Sequence, residues 1–316
     1  MENNIRVLVV TNTFPSEARP GESPSIKDQV DNLKKLGVFV EVLHIDHMRK
    51  IDYLFGALKI FSLSFVPRKY DLIHAFYGHT GVLAKLQNKY PVIVTFLGSD
   101  LLSKKDSRIG KYAASKADGV IVMTNEMKKV SNRSDARVIP FGANTTIFKP
   151  YPARQARAEL GLPFDKKLVL FPWDPARSVK RYWIAQEAVD LLQSDYDVEL
   201  LPVFNHPREI IAKYMSACDV MLLTSMHEGA PLAVRESLAC ELPVVSVDVG
   251  DVRQVVEKNK GGYIASDKAA DLAEKVSWVF EQRESLFNSP SKTYDSKDSA
   301  QKVISFYKQM FFEKKR

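Results

Sequence analysis

The sequence predicts an α/β protein with two domains, each built on a doubly wound parallel sheet. Short apolar runs alternate with segments of helical apolar spacing, as in sheets whose strands are buried beneath crossover helices. This alternation starts again at Lys167, and a length of 316 residues also fits two domains. We therefore expect one domain over 1–148 and a second over 149–296, joined by the proline-containing stretch 148–163.

The first half contains five short apolar runs that predict buried strands. Between the first two, Ile26–Leu36 has helical spacing and ends at Gly37, a residue type that commonly terminates helices. Arg137–Pro140 should close this half of the chain. The five predicted strands are Ile5–Val10, Val38–Ile45, Leu72–Phe76, Val92–Phe96 and Gly119–Met123.

The second half repeats the pattern and predicts four strands with intervening helices. Pro231 should stand in the first turn of one helix, where proline loses no hydrogen bond and already has a suitable φ. A last stretch, Lys297–Phe312, also has helical spacing. The predicted strands are Lys167–Phe171, Val198–Val203, Asp219–Thr224 and Pro243–Val247, and the predicted helices are 182–193, 208–217 and 231–241.

The segment Met48–Lys69 is apolar, rich in aromatic residues and flanked by basic ones. We favour a core helix that covers the first sheet, because a crossover between parallel strands needs a covering helix. The alternative is a helix that lies at an anionic membrane surface, where its basic flanks would contact lipid head groups.

Composition describes an ordinary globular protein with an excess of basic residues. Apolar residues make up 45% and charged residues 26% of the chain, and the net charge is +7. This charge favours anionic partners, but Lys and Arg are scattered without a nucleic-acid motif, so we expect no nucleic-acid partner. No apolar run has membrane-spanning length and Met1 does not open a secretory signal, so we expect a cytoplasmic protein. Cys218 and Cys240 suggest neither a disulfide framework nor a metal cluster.

The most informative stretch is Val220–Glu236, a predicted strand, turn and helix that carries two carboxylates. Glu228 and Gly229 lie in the turn, and Glu236 lies about a turn and a half into the helix. The free amide groups at the start of such a helix attract anions. A ligand with a phosphate between two hydroxyl-rich ends, such as a sugar nucleotide, would match this arrangement.

The turn and its flanks, Asp219–Val252, resemble the donor site of family 4 retaining glycosyltransferases, in particular short bacterial members that build exopolysaccharide or teichuronic-acid-type polymers. The resemblance implies the GT-B fold, in which two Rossmann-like domains face each other across a cleft and the C-terminal helix, here 297–316, packs back on the first domain. It implies a hexosyltransferase that moves a sugar from a nucleoside diphosphate sugar, expected to be UDP-linked. The acceptor would be a glycan or a lipid-linked glycan in cell-surface polysaccharide synthesis, with the enzyme peripheral at the inner membrane face. It also implies that no cofactor and no metal ion is needed, and no Asp-x-Asp pair stands in a donor loop.

The resemblance assigns the donor site to the second domain. Arg177 and Lys180 follow the strand Lys167–Phe171, match the family's Arg-x-x-Lys motif and would stabilise charge on the departing diphosphate. Glu228 would lie near the donor sugar, and Glu236 would accept hydrogen bonds from the ribose hydroxyls. The turn residues expected beside the sugar and phosphate are Gly229, Ala230, Pro231 and Leu232. Arg181 is a weaker candidate that could simply face solvent, and Arg235 either adds charge to the site or is only a residue of the helix surface.

The resemblance assigns the acceptor contacts to the first domain. Val94–Asp100 is similar to a loop of the family with the pattern His-Gly-x-Asp, but Leu97 occupies the place of the histidine and cannot act as a base. Retaining transfer in which the leaving phosphate takes the acceptor proton would not need a base there. Gly98 and Asp100 remain expected site residues, and the alternative for Asp100 is a helix N-cap.

Two histidines and a glycine complete the expectations for the first domain. His79 is a candidate for the acceptor side of the site, whereas we expect His74 to be a buried structural histidine. Gly21 would let a closing loop approach the ligand, unless Phe14–Pro24 is only a surface loop.

Two other functions stay open at the level of sequence. A catalytically idle sugar-nucleotide-binding subunit would account for Leu97 in place of the histidine. A GT-B epimerase acting on the same donor would need acid and base groups near the sugar ring, and few such groups stand around Leu97.

Overall fold

A computed structural model describes residues 5–19, 21–103, 105–259, 261–286 and 295–313, and this part of the chain forms two compact α/β units. The first unit contains Glu22–Phe141, the residues up to Ala18 and the helix that begins at Ser296. The second unit contains Gly142–Asp295 together with the short stretch Arg19–Gly21. The predicted α/β class with two parallel sheets is confirmed.

The first unit is built on a sheet of six parallel strands with the order β2-β1-β3-β4-β5-β6. The five apolar runs predicted as strands are confirmed to within one or two residues at each end. The direction in which strands are added reverses between β1 and β3, so the loops that follow these two strands flank a topological switch point. The strands are β1 (Arg6–Thr11), β2 (Phe39–His44), β3 (Leu72–Phe76), β4 (Val92–Thr95), β5 (Gly119–Val122) and β6 (Arg137–Val138).

The crossovers of the first unit contain six helices in the described residues. The predicted helix at Ile26–Leu36 is confirmed as α1, which starts at a proline in its first turn. The last helix is capped by Thr124, whose hydroxyl oxygen accepts a hydrogen bond of 3.1 Å from the amide of Met127. The helices are α1 (Pro24–Lys35), α2 (Lys50–Ser62), α3 (Gly78–Ala84), α4 (Ser99–Leu102), α5 (Ser107–Lys116) and α6 (Asn125–Val130).

The second unit has a five-stranded parallel sheet with the order β11-β10-β9-β7-β8. The four predicted strands and three predicted helices of this half are confirmed. Its switch point lies between β7 and β9, which are hydrogen-bonded neighbours. The strands are β7 (Lys167–Phe171), β8 (Val198–Pro202), β9 (Val220–Leu223), β10 (Val244–Val247) and β11 (Gly262–Ala265), and the helices are α7 (Ala153–Leu160), α8 (Tyr182–Leu192), α9 (Arg208–Ala217), α10 (Leu232–Ala239), α11 (Val252–Asn259) and α12 (Ala269–Leu286).

The stretch 148–163, predicted as a linker, contains the helix α7 and packs into the second unit. The buried side chain of Arg157 donates from Nε to the carbonyl of Ala217 and from Nη2 to Asp219, each at 2.8 Å. Asp219 also accepts from the amide of Leu168 in β7 at 2.7 Å. The prolines that suggested a linker stand at the ends of this segment, where proline is compatible with a following helix.

The C-terminal helix, α13 (Ser296–Glu313), belongs to the first unit and is joined to its sheet by a buried histidine. His74 in β3 lies 2.6 Å from the hydroxyl of Tyr307 through Nδ1 and 2.6 Å from the hydroxyl of Thr95 through Nε2. Burial lowers the pKa of His74 to about 3, so the imidazole is neutral and can donate through one nitrogen and accept through the other. The prediction that His74 is a structural residue is confirmed.

The neutral state of His74 should make the stability of the first unit depend on pH. Below about pH 6.5 the unfolded chain protonates this histidine while the folded chain does not, so the free energy of unfolding should fall by up to about 1.4 kcal/mol per pH unit towards about pH 3. Urea denaturation at several pH values between about 7 and about 5 would measure the slope. The variant His74→Gln cannot titrate there, and an equal slope in both proteins would contradict this account.

The preferred assignment of Met48–Lys69 as a core helix is wrong. On α2 only Gly56 and Ile60 are buried, and Gly56 packs against the side chain of Ile45. Apolar residues stand on two opposite sides of the helix, but only the side with Gly56 and Ile60 is covered, and the large apolar side chains of the other side are exposed. None of the helices in the described ranges is long and apolar enough to cross a bilayer.

Candidate active site

The candidate site lies at the carboxyl edge of the second sheet, beside the switch point between β7 and β9. The loop after β7 carries Arg177 and Lys180, and it contains a 3₁₀ turn over Ser178–Lys180. The loop after β9 carries Glu228 and Gly229 and leads into α10. Ligands of open parallel sheets bind where such neighbouring loops diverge at a switch point.

Lys180 and Glu228 form an ion pair between these two loops. The ammonium group of Lys180 contacts Oε1 of Glu228, which also accepts from the hydroxyl of Ser225 at 2.7 Å. Lys180 is only 6% exposed, and its ammonium lies 4.4 Å from the ring centroid of Trp173. Burial lowers the pKa of Lys180, whereas the charge of Glu228 raises it. The pair therefore places a cation, compensated by one carboxylate, where the two loops meet.

Further hydrogen bonds hold the loop after β7 against the loop after β9. The hydroxyl of Thr224 donates to the carbonyl of Lys180 at 2.7 Å, and the amide of Met226 donates to the carbonyl of Val179 at 2.9 Å. Arg181 donates from Nε to the carbonyl of Thr224 at 2.5 Å. The expectation that Arg181 faces solvent is therefore wrong, because its guanidinium ties the two loops together.

The turn at Glu228–Gly229 is also contacted by the loop after β10, through Gly250. A Cβ added at Gly250 would lie 2.1 Å from the carbonyl oxygen of Gly229. Gly250 also has φ +58, which favours glycine. This close approach fixes the position of the turn, and the sequence contained no local signal for it because the two glycines belong to different loops.

The helix α10 begins directly after the turn. Pro231 is its N-cap, and the first amide groups of any α-helix lack acceptors within the helix. Glu236 lies on the second turn of this helix and is largely buried. Its Oε1 accepts a hydrogen bond from Nη2 of Arg208, whose guanidinium also lies 4.9 Å from the ring centroid of Phe148. Sequence reasoning missed Arg208, because it stands at the start of a different helix.

Arg235, for which a place on the surface of α10 was one of two alternatives, is buried. Its side chain is 1% exposed and forms a two-pronged ion pair with Asp251 in the loop after β10, with a distance of 3.3 Å between Nη1 and Oδ1. The pair joins α10 to the loop that carries Gly250. Arg235 therefore supports the site from behind, and its neighbour Glu236 points to a different partner.

The other residues predicted for the donor site differ in exposure. Arg177 is exposed at the start of the 3₁₀ turn, and its backbone carbonyl accepts from the amide of Lys180 at 2.8 Å. Gly229 and Pro231 are buried, whereas Ala230 and Leu232 are half-buried. The turn thus presents mainly backbone together with the side chain of Glu228.

The predicted acceptor residues Gly98 and Asp100 lie at the start of α4, which follows β4 in the first unit. The carboxylate of Asp100 accepts hydrogen bonds from the amides of Gly98 at 2.9 Å and Leu97 at 3.1 Å. Burial raises the pKa of Asp100 to about 6 even though these amides lower it. Asp100 therefore braces its own loop, which is closer to the capping alternative than to a carboxylate open to a ligand.

The structure gives His79 and Gly21 different surroundings. His79 is half-buried in the first turn of α3, which follows β3. The start of α3 packs on the same part of α5 as Asp100, because Gly110 lies against both Gly78 and the carbonyl of Asp100. Gly21 is exposed, and among the described atoms a Cβ there would meet nothing within 4 Å. The expected approach of this backbone to a ligand stays a prediction.

The arrangement of strands and helices defines the fold class. Two α/β units, each with one parallel sheet, are the architecture of the GT-B fold. Two solved structures share this fold: sucrose-phosphate synthase from Thermosynechococcus elongatus, with a TM-score of 0.76 and 18% identity over 98% of this chain and all of that one, and HepE from Anabaena in complex with UDP, with a TM-score of 0.71 and 17% identity over 96% of this chain and all of that one.

Sequence comparison relates part of the second unit to a known family. The model of the family described as glycosyl transferases group 1 matches residues 197–295. A protein of Bacillus subtilis, TuaC, named as a candidate teichuronic acid biosynthesis glycosyltransferase, is 24% identical over 94% of this chain and 96% of its own length. The resemblance drawn from the turn at Glu228 is confirmed: the chain has the GT-B fold, and residues 197–295 of its second unit match the group 1 glycosyl transferase model.

Proposed function

We propose that this chain transfers a sugar, with retention of anomeric configuration, from a nucleoside diphosphate sugar to a glycan or a lipid-linked glycan in cell-surface polysaccharide synthesis. UDP is the proposed nucleotide, and the complex of HepE with UDP supports that choice. The name of TuaC supports a cell-surface polymer as the product. We place the reaction in the cytoplasm, peripheral to the inner face of the membrane.

The ion pair between Lys180 and Glu228 is the observation that carries this proposal. Negative charge develops on the diphosphate as its bond to the sugar breaks, and a preorganised cation beside that position stabilises the transition state. Lys180 is buried and already held in place, so it needs little reorganisation to receive the diphosphate. Arg177, exposed on the same loop, would provide a planar donor for further phosphate oxygens.

Retention follows if the acceptor hydroxyl attacks from the face that the diphosphate leaves. The bond between the anomeric carbon and the phosphate oxygen breaks with its electron pair on the phosphate, and the acceptor oxygen forms the new bond. The proton of that hydroxyl passes to the leaving phosphate oxygen. This route needs no protein base at Leu97, and Glu228 would hydrogen-bond the donor sugar from the turn.

Glu236 and Arg208 would act together on the nucleotide. The proposal assigns the ribose hydroxyls to the carboxylate of Glu236, which Arg208 orients through its hydrogen bond to Oε1. Arg208 is itself positioned by the ring of Phe148. This pair binds a part of the donor that does not react, so its loss should affect the KM for the donor more than kcat.

Metal-free catalysis is part of the proposal and has a direct test. Activity should remain largely intact when EDTA is added to enzyme freed of divalent ions, because Lys180, Arg177 and the start of α10 would stabilise the diphosphate. The measurement is the initial rate with and without chelator. Loss of activity that returns when Mg²⁺ or Mn²⁺ is added would contradict the metal-free assignment.

Transfer can be separated from the two other functions by measuring the release of free nucleoside diphosphate. A transferase releases it at a rate that depends on the acceptor, and mass spectrometry then finds the acceptor heavier by one sugar. An idle subunit binds the donor and releases nothing across a panel of acceptors. An epimerase converts the donor sugar without releasing the nucleotide. Either of the last two results would overturn the proposal.

Gly250 provides a test of how strictly the turn at Gly229 must be positioned. Gly250→Ala should raise the KM for the donor by at least about tenfold, because the new Cβ would overlap the carbonyl of Gly229 and displace the turn. Gly161→Ala is the matched control, since Gly161 also has positive φ but open space around it. If both variants raised the KM by a similar factor, backbone strain at positive φ would account for the effect, and the overlap with Gly229 would not.

A further inference from the structure

The helix α2 presents an exposed apolar surface that the proposed glycosyl transfer does not use. Eight large apolar residues on the helix and at its two ends are between 43% and 74% exposed. An apolar patch of this kind on a monomer usually marks a surface that contacts a protein or a membrane. We call this set of residues the α2 face, and it consists of Met48, Ile51, Leu54, Phe55, Leu58, Phe61, Phe65 and Val66.

The spacing of those residues of the α2 face that lie within the helix places them on one side of it. Ile51, Leu54, Phe55 and Leu58 follow the i, i+3, i+4, i+7 pattern of a single helical face. The opposite side is fixed to the first unit, where the hydroxyl of Tyr53 accepts a hydrogen bond of 3.1 Å from Asn12. The helix is therefore held along one side while its other side projects apolar groups outward.

Basic residues surround the α2 face. Arg49, Lys50 and Lys59 are exposed beside the apolar side chains, and the helix itself carries a single acidic residue, Asp52. Apolar side chains bordered by basic ones are the composition of helices that lie in the interface of an anionic bilayer. A second copy of this chain fits less well, because a symmetric contact would bring the same basic residues together.

We propose that the α2 face docks the first unit on an anionic membrane surface, with the helix parallel to the bilayer plane and its large apolar side chains inserted among the lipid chains. Arg49, Lys50 and Lys59 would contact lipid phosphates at the edge of the inserted face. The proposal deepens the proposed function, because a lipid-linked acceptor would be reached at such a surface. Docking itself requires no donor and no turnover.

Vesicle flotation with the full chain tests the proposal. The protein should float with vesicles containing phosphatidylglycerol at low salt, and much less with phosphatidylcholine vesicles or at high salt. The triple variant L54S/F55S/L58S should bind the anionic vesicles at least about tenfold more weakly, because three inserted apolar side chains are removed. Its thermal unfolding should match that of the wild-type chain, since these side chains are exposed.

Two further variants give the test its controls. W183S/L191S removes two side chains of α8 that are about as exposed but lie outside the α2 face, and it should bind vesicles like the wild type. K50E/K59E should lose the preference for anionic lipid. The proposal is overturned if the wild-type chain does not float at low salt, or if all variants bind equally. It is also overturned if the triple variant abolishes self-association of the chain instead of vesicle binding.

The outcome is independent of whether glycosyl transfer occurs. Flotation is measured without donor, and donor binding by the triple variant should equal that of the wild-type chain because none of its three residues lies in the second unit. A chain that floats but transfers no sugar would remove the proposed function alone. A chain that transfers sugar to a water-soluble acceptor but does not float would remove the docking proposal alone.

Discussion

Replacing Lys180 with methionine should lower the rate of glycosyl transfer by about 10²- to 10³-fold, the usual effect of losing one preorganised group that stabilises charge in a transition state. The loss should fall mainly on kcat, because the charge on the diphosphate is greatest when its bond to the sugar breaks. Methionine keeps an apolar stem beside the ring of Trp173, so the packing of the loop is largely preserved. Initial rates at saturating donor would measure the effect.

The matched control for this variant is Lys213→Met in α9. Lys213 also pairs with a carboxylate, Glu159 at 2.7 Å, but both side chains are substantially exposed. The control removes a lysine and an ion pair from the same unit and should change kcat less than about twofold, because exposed pairs contribute little. Equal rates for the wild-type chain and Lys180→Met would remove Lys180 from the active site.

Replacing Asp251 with alanine should destabilise the second unit by about 3–5 kcal/mol, the usual cost of removing one partner from a buried ion pair. Its partner Arg235 is almost inaccessible to water, and the variant would remove the carboxylate that this buried guanidinium contacts with both of its terminal nitrogens. The loop that positions Gly250 should loosen as well. Chemical denaturation followed by circular dichroism would measure the loss of stability.

Asp248 provides the control because it stands in the same loop and also pairs with an arginine. Its contact with Arg253 is 2.9 Å long, but both side chains are about half exposed. Asp248→Ala should therefore change the free energy of unfolding by at most about 1 kcal/mol. If the two alanine variants were equally stable, the pair between Arg235 and Asp251 would not be a major support of the site.

The candidate site could be predicted from the sequence as a set of residues, but not as a set of contacts. Lys180 and Glu228 were each chosen from their own segment, because each follows a strand of the second sheet. Their ion pair joins residues 48 positions apart, a separation that no local pattern reports. Arg208 was missed for the same reason, since it meets Glu236 from the start of another helix.

Prediction from the sequence was also incomplete for charged residues, because the same residue type occurs both at the surface and buried against a partner. Arg235 and Arg181 looked like surface residues because arginine is usually exposed. In the structure Arg235 is buried against Asp251, and Arg181 donates to backbone carbonyls of the neighbouring loop. Asp100 similarly directs its carboxylate to amides of its own loop. Which partner a charged side chain meets depends on how separate segments pack.

By itself the sequence determined the two parallel sheets, the order of most of their strands and helices along the chain, and the turn at Glu228 that resembles a glycosyltransferase donor site. These features depend on local periodicity and on short motifs, which one segment carries without reference to any other. Only the tertiary structure decided that Lys180 is buried against Glu228, that Gly250 presses on Gly229 and that α2 leaves its apolar side uncovered. Burial depends on contacts between segments that are distant in the chain. The sequence pattern of an apolar helix is therefore the same whether the helix packs on a core or faces solvent.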